Sequence, residues 1–378
     1  MTAQAACSQA RDRSTLDAVR ERRDAMNVTP VTRQTLAYPC GEPPVVGEAR
    51  EIAAGVRWIR LALPFSPQHI NIWALRDGAG WAVIDSGYPD DATRAAWTHL
   101  LGPPGPFAPG KVTRLIATHM HQDHIGMANW LAREHGVTLW MTQGEHEASL
   151  AVARESQGAV PEAHLAFYRR AGWSERALAQ HAGRFPRREV AAMHALPAGY
   201  RRIAGGESLR IGNHEWRVVV GSGHSPEHAC LHCPERGLFI SGDQVLPRIS
   251  SNVSVWPDAP DADPLGDWLD SLAHVAATVP GDVLVLPAHN EPFHGLHARL
   301  GELRDKRERA LRRLRARLAE PRRAVDVFGV LFARSVEDDA ALLRMATGES
   351  LAYLNHLRQR GEIECSTDAQ GVAWYRRV

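Results

Sequence analysis

Four residues of types that bind metal ions lie in one short segment, Thr-His-Met-His-Gln-Asp-His-Ile-Gly: His119, His121, Asp123 and His124. Imidazole and carboxylate together suit a borderline metal such as zinc. The apolar run Thr113–Thr118 before them predicts a β-strand. Because side chains alternate along a strand, His119 and His121 should point the same way, and the following turn can direct Asp123 and His124 towards a second point nearby. The segment therefore predicts ligands for two adjacent metal ions.

Three further candidate ligands each follow an apolar strand. His224 lies in Gly-Ser-Gly-His-Ser-Pro-Glu-His, Asp243 in Ile-Ser-Gly-Asp-Gln, and His289 in Leu-Pro-Ala-His-Asn. The edge of a sheet would present such residues to a shared cleft. Each residue alone is a weak indication, because a single histidine after a strand is more often structural than a ligand. Together, and in this order, they form a specific pattern.

This ordered set, with Asp85 in Ile-Asp-Ser-Gly at its start, resembles the metallo-β-lactamase superfamily, especially its glyoxalase II-like hydrolases. The resemblance covers about Ala49–Pro292. It implies that a first metal ion is held by three histidines, His119, His121 and His224. It implies that a second metal ion is held by Asp123, His124 and His289. A carboxylate, that of Asp243, would bridge the two ions.

Other residues are expected to support the ligands or the substrate. The resemblance implies that Asp85 accepts a hydrogen bond that orients a ligand, although an aspartate there also suits a helix N-cap or a turn. His228 is expected to lie behind the ligands or to be structural, rather than to bind metal itself. Arg248 follows Asp243 closely enough for a loop to bring it to the cleft, where it is a candidate for binding an anionic group of the substrate.

The resemblance implies two Zn²⁺ ions per chain, with iron or manganese as alternatives. A hydroxide that bridges two such ions near pH 7 would attack an acyl carbonyl or a phosphorus, and Asp123 would orient it or shuttle its proton. Aspartate stands at position 243, where the lactam-cleaving branch tends to have cysteine, which argues against an antibiotic-cleaving enzyme. Asn290 stands where such hydrolases often have glycine, and we interpret it as a local difference in the loop.

The motifs favour hydrolysis of an ester or thioester of a small organic substrate, because their order is most similar to that of glyoxalase II relatives. The alternative is a metal-dependent endoribonuclease or phosphodiesterase, which would need a basic groove leading to the metals. A lactonase, a di-iron redox enzyme and a non-catalytic member that keeps the fold also remain open. No flavin-binding segment is evident, which argues against the redox enzyme.

Strands and helices alternate around these motifs. The pattern predicts strands before the histidines at Val56–Leu63, Ile70–Leu75, Trp81–Asp85 and Thr113–Thr118, and later at Val137–Met141, Glu207–Ile211, Glu215–Val220, Ala229–His232, Leu238–Ser241 and Val283–Pro287. It predicts helices at Asp91–Leu101, Ile125–His135 and Pro264–Thr278. This interleaving predicts an α/β or α+β sandwich. The resemblance implies an α/β protein with the αββα sandwich of the metallo-β-lactamase fold.

The segment from about Gly144 to His194 lacks strand signals and is rich in Ala, Glu and Arg. It predicts a set of inserted helices that could cover a pocket for an organic substrate. Four histidines in this segment are interpreted as surface residues: His146, His164, His181 and His194.

The C-terminal part begins with leucines at helical spacing and a run dense in arginine, Arg304–Arg317. These arginines predict a solvated helix face, with a basic patch for an anionic substrate or RNA as the alternative. Helical stretches near Ala324–Phe332 and Asp338–Arg360 precede strands at Glu362–Cys365 and Val372–Arg376. The pattern resembles the winged-helix appendage of some of these hydrolases, including endoribonuclease-like members, and a wing does not by itself indicate DNA binding.

The 378 residues are thus divided into three parts. Residues 1–43 are expected to be a flexible tail. Residues 44–295 are expected to form the catalytic domain of metallo-β-lactamase type, with the helical insertion at about 144–194. Residues 296–378 are expected to form the small winged-helix-like domain.

The amino-acid composition limits the kinds of partner that we expect for this protein. Lys and Arg number 44 and Asp and Glu number 43, so the net charge does not favour binding to nucleic acid. A nucleic acid partner is not excluded. The N-terminus has no signal-like apolar run, and no stretch approaches the roughly 18 apolar residues of a membrane span. Five scattered cysteines argue against a disulfide framework, and the pair Cys230 and Cys233 is expected to be structural. We expect a cytoplasmic protein with a small-molecule substrate and no membrane partner, and a homodimer is compatible with the sequence.

Overall fold

A computed structural model of the protein describes residues 36–103, 105–107, 111–333, 336 and 339–378. Its larger sheet has seven strands in chain order. They are β1 (Ala49–Ala53), β2 (Val56–Ala62), β3 (His69–Asp77), β4 (Gly80–Ile84), β5 (Val112–Ile116), β6 (Leu139–Met141) and β7 (Tyr200–Arg202). Pairing is antiparallel from β1 to β4 and parallel from β4 to β7.

The second sheet has five strands in the order β12-β11-β10-β9-β8. They are β8 (Ser208–Ile211), β9 (His214–Gly221), β10 (His228–Cys233), β11 (Leu238–Gly242) and β12 (Leu284–Pro287). Strands β8 to β11 pair antiparallel, and β11 pairs parallel with β12. As a result β9, β11 and β12 run in the same direction.

The helices lie mainly on the outer faces of the sheets. Before β12 they are α1 (Asp91–Leu101), α2 (Gln122–Ile125), α3 (Ala128–His135), α4 (Gln143–Glu155), α5 (Glu162–Arg170), α6 (Glu175–Ala182), α7 (Arg188–Met193) and α8 (Pro264–Thr278). After β12 they are α9 (Leu296–Arg317), α10 (Phe328–Leu331) and α11 (Ala340–Gln359). None of the described helices is both long and apolar enough to cross a lipid bilayer.

Three buried layers of apolar side chains hold the sandwich together. Between the sheets, Trp58 and Trp73 of the first sheet belong to one cluster with Trp216 of the second. Outside the first sheet, α1 contributes Trp97 to a separate cluster. Outside the second sheet, α8 contributes Trp268 to a third cluster, which also includes side chains of α9 and α11. The predicted αββα architecture is therefore confirmed.

Most predicted elements are present, and the bounds of α1 and α8 match the prediction. The helix predicted over Ile125–His135 is instead divided into α2 and α3 by contacts with Ser86. The carbonyl of His124 accepts hydrogen bonds from both the backbone N–H and the Oγ of Ser86, at 2.7 and 2.8 Å. The N–H of Met127 donates to the same Oγ at 3.2 Å, so the backbone groups at the junction bond outside the helix.

Two strands and one segment of the chain differ from what the sequence predicts. The strands β1 and β7 were not expected, and both lie at an edge of the first sheet. Of the predicted flexible tail, residues 1–35 lie outside the described part of the chain. Within residues 36–43, Ala37 exchanges two backbone hydrogen bonds with His294, at 2.8 and 3.3 Å.

The insertion between β6 and β7 consists of the four helices α4 to α7, as the sequence predicts. The interpretation of its histidines as surface residues is wrong for three of them. His164, His181 and His194 are buried, because the helices pack against one another and enclose these side chains. His146 is half-buried and stacks on Tyr200.

The C-terminal helices belong to the same compact unit as the sandwich, which spans residues 36–378. The two strands predicted after them are present as β13 (Ile363–Thr367) and β14 (Ala373–Arg377), paired antiparallel. Cys230 and Cys233 are both buried and free within β10. Three positions apart on a strand, their side chains point to opposite faces, so they cannot chelate one ion.

The arginine-rich run Arg304–Arg317 is not solvated throughout, because Arg307 is buried beneath α11. Its guanidinium forms an ion pair with Glu349 and donates to the Tyr353 hydroxyl at 2.8 Å and the Ser251 carbonyl at 2.7 Å. These contacts join α9, α11 and the loop after β11. The buried guanidinium of Arg307 therefore links the C-terminal helices to the sandwich.

We predict that Arg307→Ala lowers the free energy of unfolding by about 3–5 kcal/mol, because it leaves the Glu349 carboxylate without its buried partner. The measurement is urea denaturation followed by circular dichroism. The matched control is Arg309→Ala on the same helix, where the side chain is exposed and the change should stay within about 0.5 kcal/mol. Equal effects of the two substitutions would contradict the role given to Arg307.

Candidate metal centre

The seven candidate ligands meet at one edge of the sandwich. Three strands of the second sheet that run in the same direction, β9, β11 and β12, end just before His224, Asp243 and His289. In the first sheet, β5 ends just before the segment that contains the other four ligands. The carboxyl ends of parallel strands open into a crevice where ligands bind. The fold therefore converts distant sequence motifs into one site.

Three histidines face one another in a first cluster. The Nε2 atom of His119 lies 2.8 Å from Nδ1 of His121 and 3.2 Å from Nε2 of His224. Ring nitrogens that bind one tetrahedral zinc ion at about 2.1 Å stand about 3.4 Å apart. The three atoms are thus arranged to hold one metal ion.

Asp123, His124 and His289 form a second cluster that can hold a metal ion. The Oδ2 atom of Asp123 lies 3.6 Å from Nε2 of His124 and 3.5 Å from Nε2 of His289. This cluster has a carboxylate where the first has only imidazoles. It therefore offers a harder set of donor atoms to its ion.

Asp243 stands between the two clusters, with one carboxylate oxygen towards each. Its Oδ2 lies 3.4 Å from Nε2 of His224 in the first cluster. Its Oδ1 lies 3.3 Å from Nε2 of His289 and 3.7 Å from Nε2 of His124 in the second. The carboxylate is placed to contact an ion in each cluster.

Unpartnered buried atoms show that the residues fit metal ions. The Nε2 of His124 and the Oδ1 of Asp243 are buried and have no hydrogen-bond partner among the described residues. A buried polar atom without a partner costs about 1–3 kcal/mol. Metal coordination would satisfy both atoms, and imidazole with carboxylate is a donor set that divalent ions prefer.

Hydrogen bonds behind the ligands fix which ring nitrogen faces the site. Nδ1 of His224 donates to the Asn252 carbonyl at 2.7 Å, and Nδ1 of His289 donates to the His69 carbonyl at 2.8 Å. Each bond places the proton on Nδ1 and leaves the lone pair of Nε2 directed at the site.

Asp85 orients the ring of His124 in the same way, through its Nδ1 atom. Its Oδ2 lies 2.8 Å from Nδ1 of His124, while its Oδ1 accepts from the Thr118 backbone N–H at 2.7 Å. The residue has a positive φ of 64° at the turn after β4, so it combines the turn position with the orientation of a ligand. The sequence left these two interpretations as alternatives.

His228 lies directly behind the centre and is fully buried. Its Nε2 accepts a hydrogen bond from the Asp243 backbone N–H at 3.1 Å, and its ring stacks on His119 at 4.8 Å between centroids. Burial lowers the pKa of His228 well below its ordinary value, which keeps the ring neutral and able to accept this bond. His228 thus positions the backbone of the shared carboxylate.

The two clusters differ in their electrostatics. Burial, followed by the repulsion of His224, lowers the pKa of His121 to about 3, so the first cluster holds neutral imidazoles ready to bind a cation. Burial alone would lower the pKa of His124, but Asp85, Asp123 and Asp243 raise it to about 9. Burial would raise the pKa of Asp123, but His124 and His289 lower it to about 2. Negative charge is thus concentrated at the second cluster, where a metal cation can replace the protons of the histidines.

Arg248 is not brought to the ligands by the described structure. Its half-exposed side chain forms an ion pair with Glu291 at 2.8 Å and lies over the ring of Tyr38. The guanidinium is therefore engaged at the surface. A role in binding substrate stays a prediction.

Glu145 is a buried residue that the sequence analysis missed. From the first turn of α4, its carboxylate accepts from the backbone N–H of Met120 at 2.9 Å and that of Glu227 at 2.7 Å. These residues belong to the loops that contain His121 and His224, so Glu145 joins both ligand loops. In sequence it cannot be distinguished from its exposed neighbour Glu147.

Comparison with protein families gives two matches along the chain. The model described as the metallo-beta-lactamase superfamily matches residues 66–289, which is more than half of the chain. A model described as a metallo-beta-lactamase-like C-terminal domain matches residues 311–378, where the sequence predicts a winged-helix appendage.

Individual relatives agree with these matches. The chain is 28% identical over 204 residues to an acyl-coenzyme A thioesterase, MBLAC2, of Gallus gallus. The matched region covers 52% of this chain and 65% of the thioesterase, so the chain spans less than two thirds of the length of that relative. It is similar to the crystal structure of a beta-lactamase domain protein from Burkholderia ambifaria, with a TM-score of 0.82 and 37% identity over 91% of this chain and 98% of that one. A metallo-beta-lactamase family protein from Thermus thermophilus shares the fold, with a TM-score of 0.70 and 23% identity over 87% of this chain and all of that one.

We predict that the purified protein binds about two metal ions per chain, and that Asp243→Ala loses most of both because the two oxygens of that carboxylate face different clusters. The measurement is metal content by mass spectrometry after gel filtration. Asp270→Ala, at an exposed position of α8, is the control and should keep the full content. Unchanged metal content in the Asp243 variant would rule out the shared carboxylate.

A second prediction concerns Glu145. Replacing it with Ala should weaken metal binding by about 10–100-fold, because both ligand loops lose a fixed backbone contact. Competition with a chromogenic chelator measures this affinity, and circular dichroism checks that the fold is kept. Glu147→Ala on the same helix is the control. If the two variants bind metal equally well, Glu145 does not position the loops.

Proposed function

Because the chain belongs to the metallo-β-lactamase superfamily, we propose that it is a metal-dependent hydrolase that cleaves an ester or thioester of an organic substrate. The observation that carries this proposal is the carboxylate of Asp243, placed between two clusters of ligand atoms. Such an arrangement suits two metal ions that act on one substrate. The proposed ions are Zn²⁺, with iron or manganese as alternatives.

The proposed first ion would be held by His119, His121 and His224, and the second by Asp123, His124 and His289. When bound, such a pair lowers the pKa of water towards 7 and polarises a carbonyl group.

The role proposed for Asp123 follows from its charge and position. Its pKa of about 2 keeps the carboxylate ionised at neutral pH. One oxygen, Oδ2, faces His124 and His289, and the other can accept a hydrogen bond from the attacking water. Asp123 would therefore orient that water and receive its proton. It is the catalytic residue of this proposal.

Apolar surface near the ligands supports an acyl substrate. Phe65 is 37% exposed and contacts Tyr88 edge-on at 5.4 Å. Tyr88 follows Ser86 by two residues, and Ser86 donates two hydrogen bonds to the carbonyl of His124, a residue of the second cluster. An exposed aromatic side chain beside the site suits an organic acyl group better than a phosphate backbone.

The loop that orients His224 also carries an exposed apolar residue. Asn252, whose carbonyl holds His224, accepts through its Oδ1 from Ser254 at 2.6 Å. Trp256 lies two residues further along the chain and is 38% exposed. This surface, together with the similarity to an acyl-coenzyme A thioesterase, favours a thioester, and an acyl-coenzyme A is the first substrate to test.

A metal-dependent ribonuclease or phosphodiesterase is the second candidate. The observation in its favour is the exposure of Arg309, Arg312 and Arg313 on α9. Exposed arginines can neutralise the phosphates of a nucleic acid. Against it, Arg307 of the same run is buried and pairs with Glu349.

We predict that the metal-loaded protein hydrolyses thioesters or carboxylic esters and leaves single-stranded RNA intact. Asp123→Ala should lower kcat by about 10²–10⁴-fold, because the attacking water loses its proton acceptor. The assay compares thioester, ester, lactone, phosphodiester and RNA substrates under the same conditions.

The control is the triple variant Arg309→Ala, Arg312→Ala and Arg313→Ala, which should keep acyl hydrolysis, because exposed charges are screened within about 10 Å at ordinary salt. Metal-dependent RNA cleavage that is salt-sensitive and weakened by the triple substitution would instead favour the second candidate. Normal turnover by the Asp123 variant would show that the chemistry lies elsewhere.

A further inference from the structure

A cavity outside the metal centre is rich in arginine. Its volume is about 570 Å³, and it lies between the segment that follows α6 and the beginning of α11. Four arginines line it: Arg184, Arg187, Arg188 and Arg344. His181 and Glu189 also line it, and Glu189 is the one acidic residue among its described lining.

The basic groups of this cavity have no carboxylate partner within the described part of the chain, although the guanidinium of Arg187 lies 4.6 Å from the centroid of the Phe185 ring. None of the four guanidinium groups forms an ion pair with a described carboxylate. The side chain of His181 is 5% exposed, and its Nε2 is buried with no hydrogen-bond partner. The Nε of Arg187 is likewise buried and unpartnered. These are donors without acceptors, and an anion would satisfy them.

The arginines also destabilise one another in the absence of an anion. Burial lowers the pKa of Arg187, and the charge of Arg344 lowers it further. Burial, followed by Arg344 and Arg187, lowers the pKa of His181 to about 4, so the ring is neutral and can donate one N–H. Like charges held together in a partly buried cavity repel, and a bound anion would turn this repulsion into attraction. The cavity is thus built as a receptor for negative charge.

A chain of hydrogen bonds connects the metal centre with the helix that carries Arg344, through the loop after β11. The Asn252 carbonyl holds the metal-centre residue His224, and Ser254 donates to Asn252 Oδ1 at 2.6 Å. Ser254 also donates to the Met345 carbonyl at 3.5 Å, and Met345 follows Arg344 directly. Met345 is 42% exposed, so it presents apolar surface directly after Arg344 in the chain.

We propose that this cavity binds the phosphate groups of the carrier of an acyl thioester, of the kind found in coenzyme A, while the thioester carbonyl lies at the metal centre. The inference rests on the proposed function for its substrate, but the anion site stands on its own residues. The flexible arm between phosphates and sulfur would cross the apolar surface at Met345. A compact cavity suits a terminal phosphate group, whereas a nucleic acid strand needs a continuous groove.

The first test is binding to the full-length, metal-loaded protein by isothermal titration calorimetry. The probes are coenzyme A, adenosine 3′,5′-bisphosphate and inorganic pyrophosphate. The variant is Arg184→Ala with Arg344→Ala, two arginines whose side chains are at least partly exposed, so the fold should be kept. We expect about tenfold or greater loss of affinity, steeper at low salt. The control Arg309→Ala, an exposed arginine on α9, should bind as the wild type does.

The second test separates the anion site from the chemistry. For an acyl-coenzyme A, the double variant should raise KM by about tenfold and leave kcat unchanged, because the phosphates bind equally in ground and transition states. For the same acyl group on N-acetylcysteamine, which has no phosphate, both parameters should match the wild type.

The outcomes are distinguishable. Failure of the wild type to bind any of the three probes, or equal binding by the double variant, overturns the inference even if thioesters are hydrolysed. Arginine-dependent binding of the bisphosphate without hydrolysis of any thioester supports the anion site and removes the proposed function. Single-stranded RNA that displaces the bisphosphate and is cleaved overturns the assignment to a thioester carrier.

Discussion

The carboxylate of Asp243 is shared by two groups of buried ligand atoms, and this sharing requires strand ends from both sheets to stay in register at one edge of the sandwich. Ring nitrogens only about 3 Å apart need a proton or a cation between them, because two facing lone pairs repel. The surrounding hydrogen bonds prevent the rings from turning away. Asp85 holds His124, and backbone carbonyls hold His224 and His289. The packed core between the sheets keeps these partners in place.

The inserted helices and the C-terminal helices, which lie outside the sandwich, also hold the loops of the site in place. Glu145, on the first inserted helix, bonds to the backbone beside two ligand loops. Arg307, on the first C-terminal helix, bonds to the Ser251 carbonyl, one residue before the carbonyl that orients His224. Both additions therefore stabilise the loops of the site as well as covering apolar surface. This coupling explains why the C-terminal helices share a core with the sandwich.

Local sequence patterns were sufficient to predict most of the helices and strands. The bounds of α1 and α8 follow from an N-cap aspartate and apolar periodicity, which are properties of neighbouring residues. The break between α2 and α3 could not be predicted, because it depends on Ser86, which is distant in sequence and takes the carbonyl of His124. Strands β1 and β7 were missed because edge strands need not show an alternating pattern of burial.

The sequence by itself determined which residues meet at the candidate metal centre. The seven residues that the structure brings together are the seven that it singles out, because ligand type and position after a strand are local features. Only the tertiary structure decided which polar and ionisable side chains are buried. Glu145, Arg307 and His181 resemble exposed neighbours in sequence, and their burial arises from helices that pack against them. Burial depends on contacts between distant segments, so no local pattern predicts it.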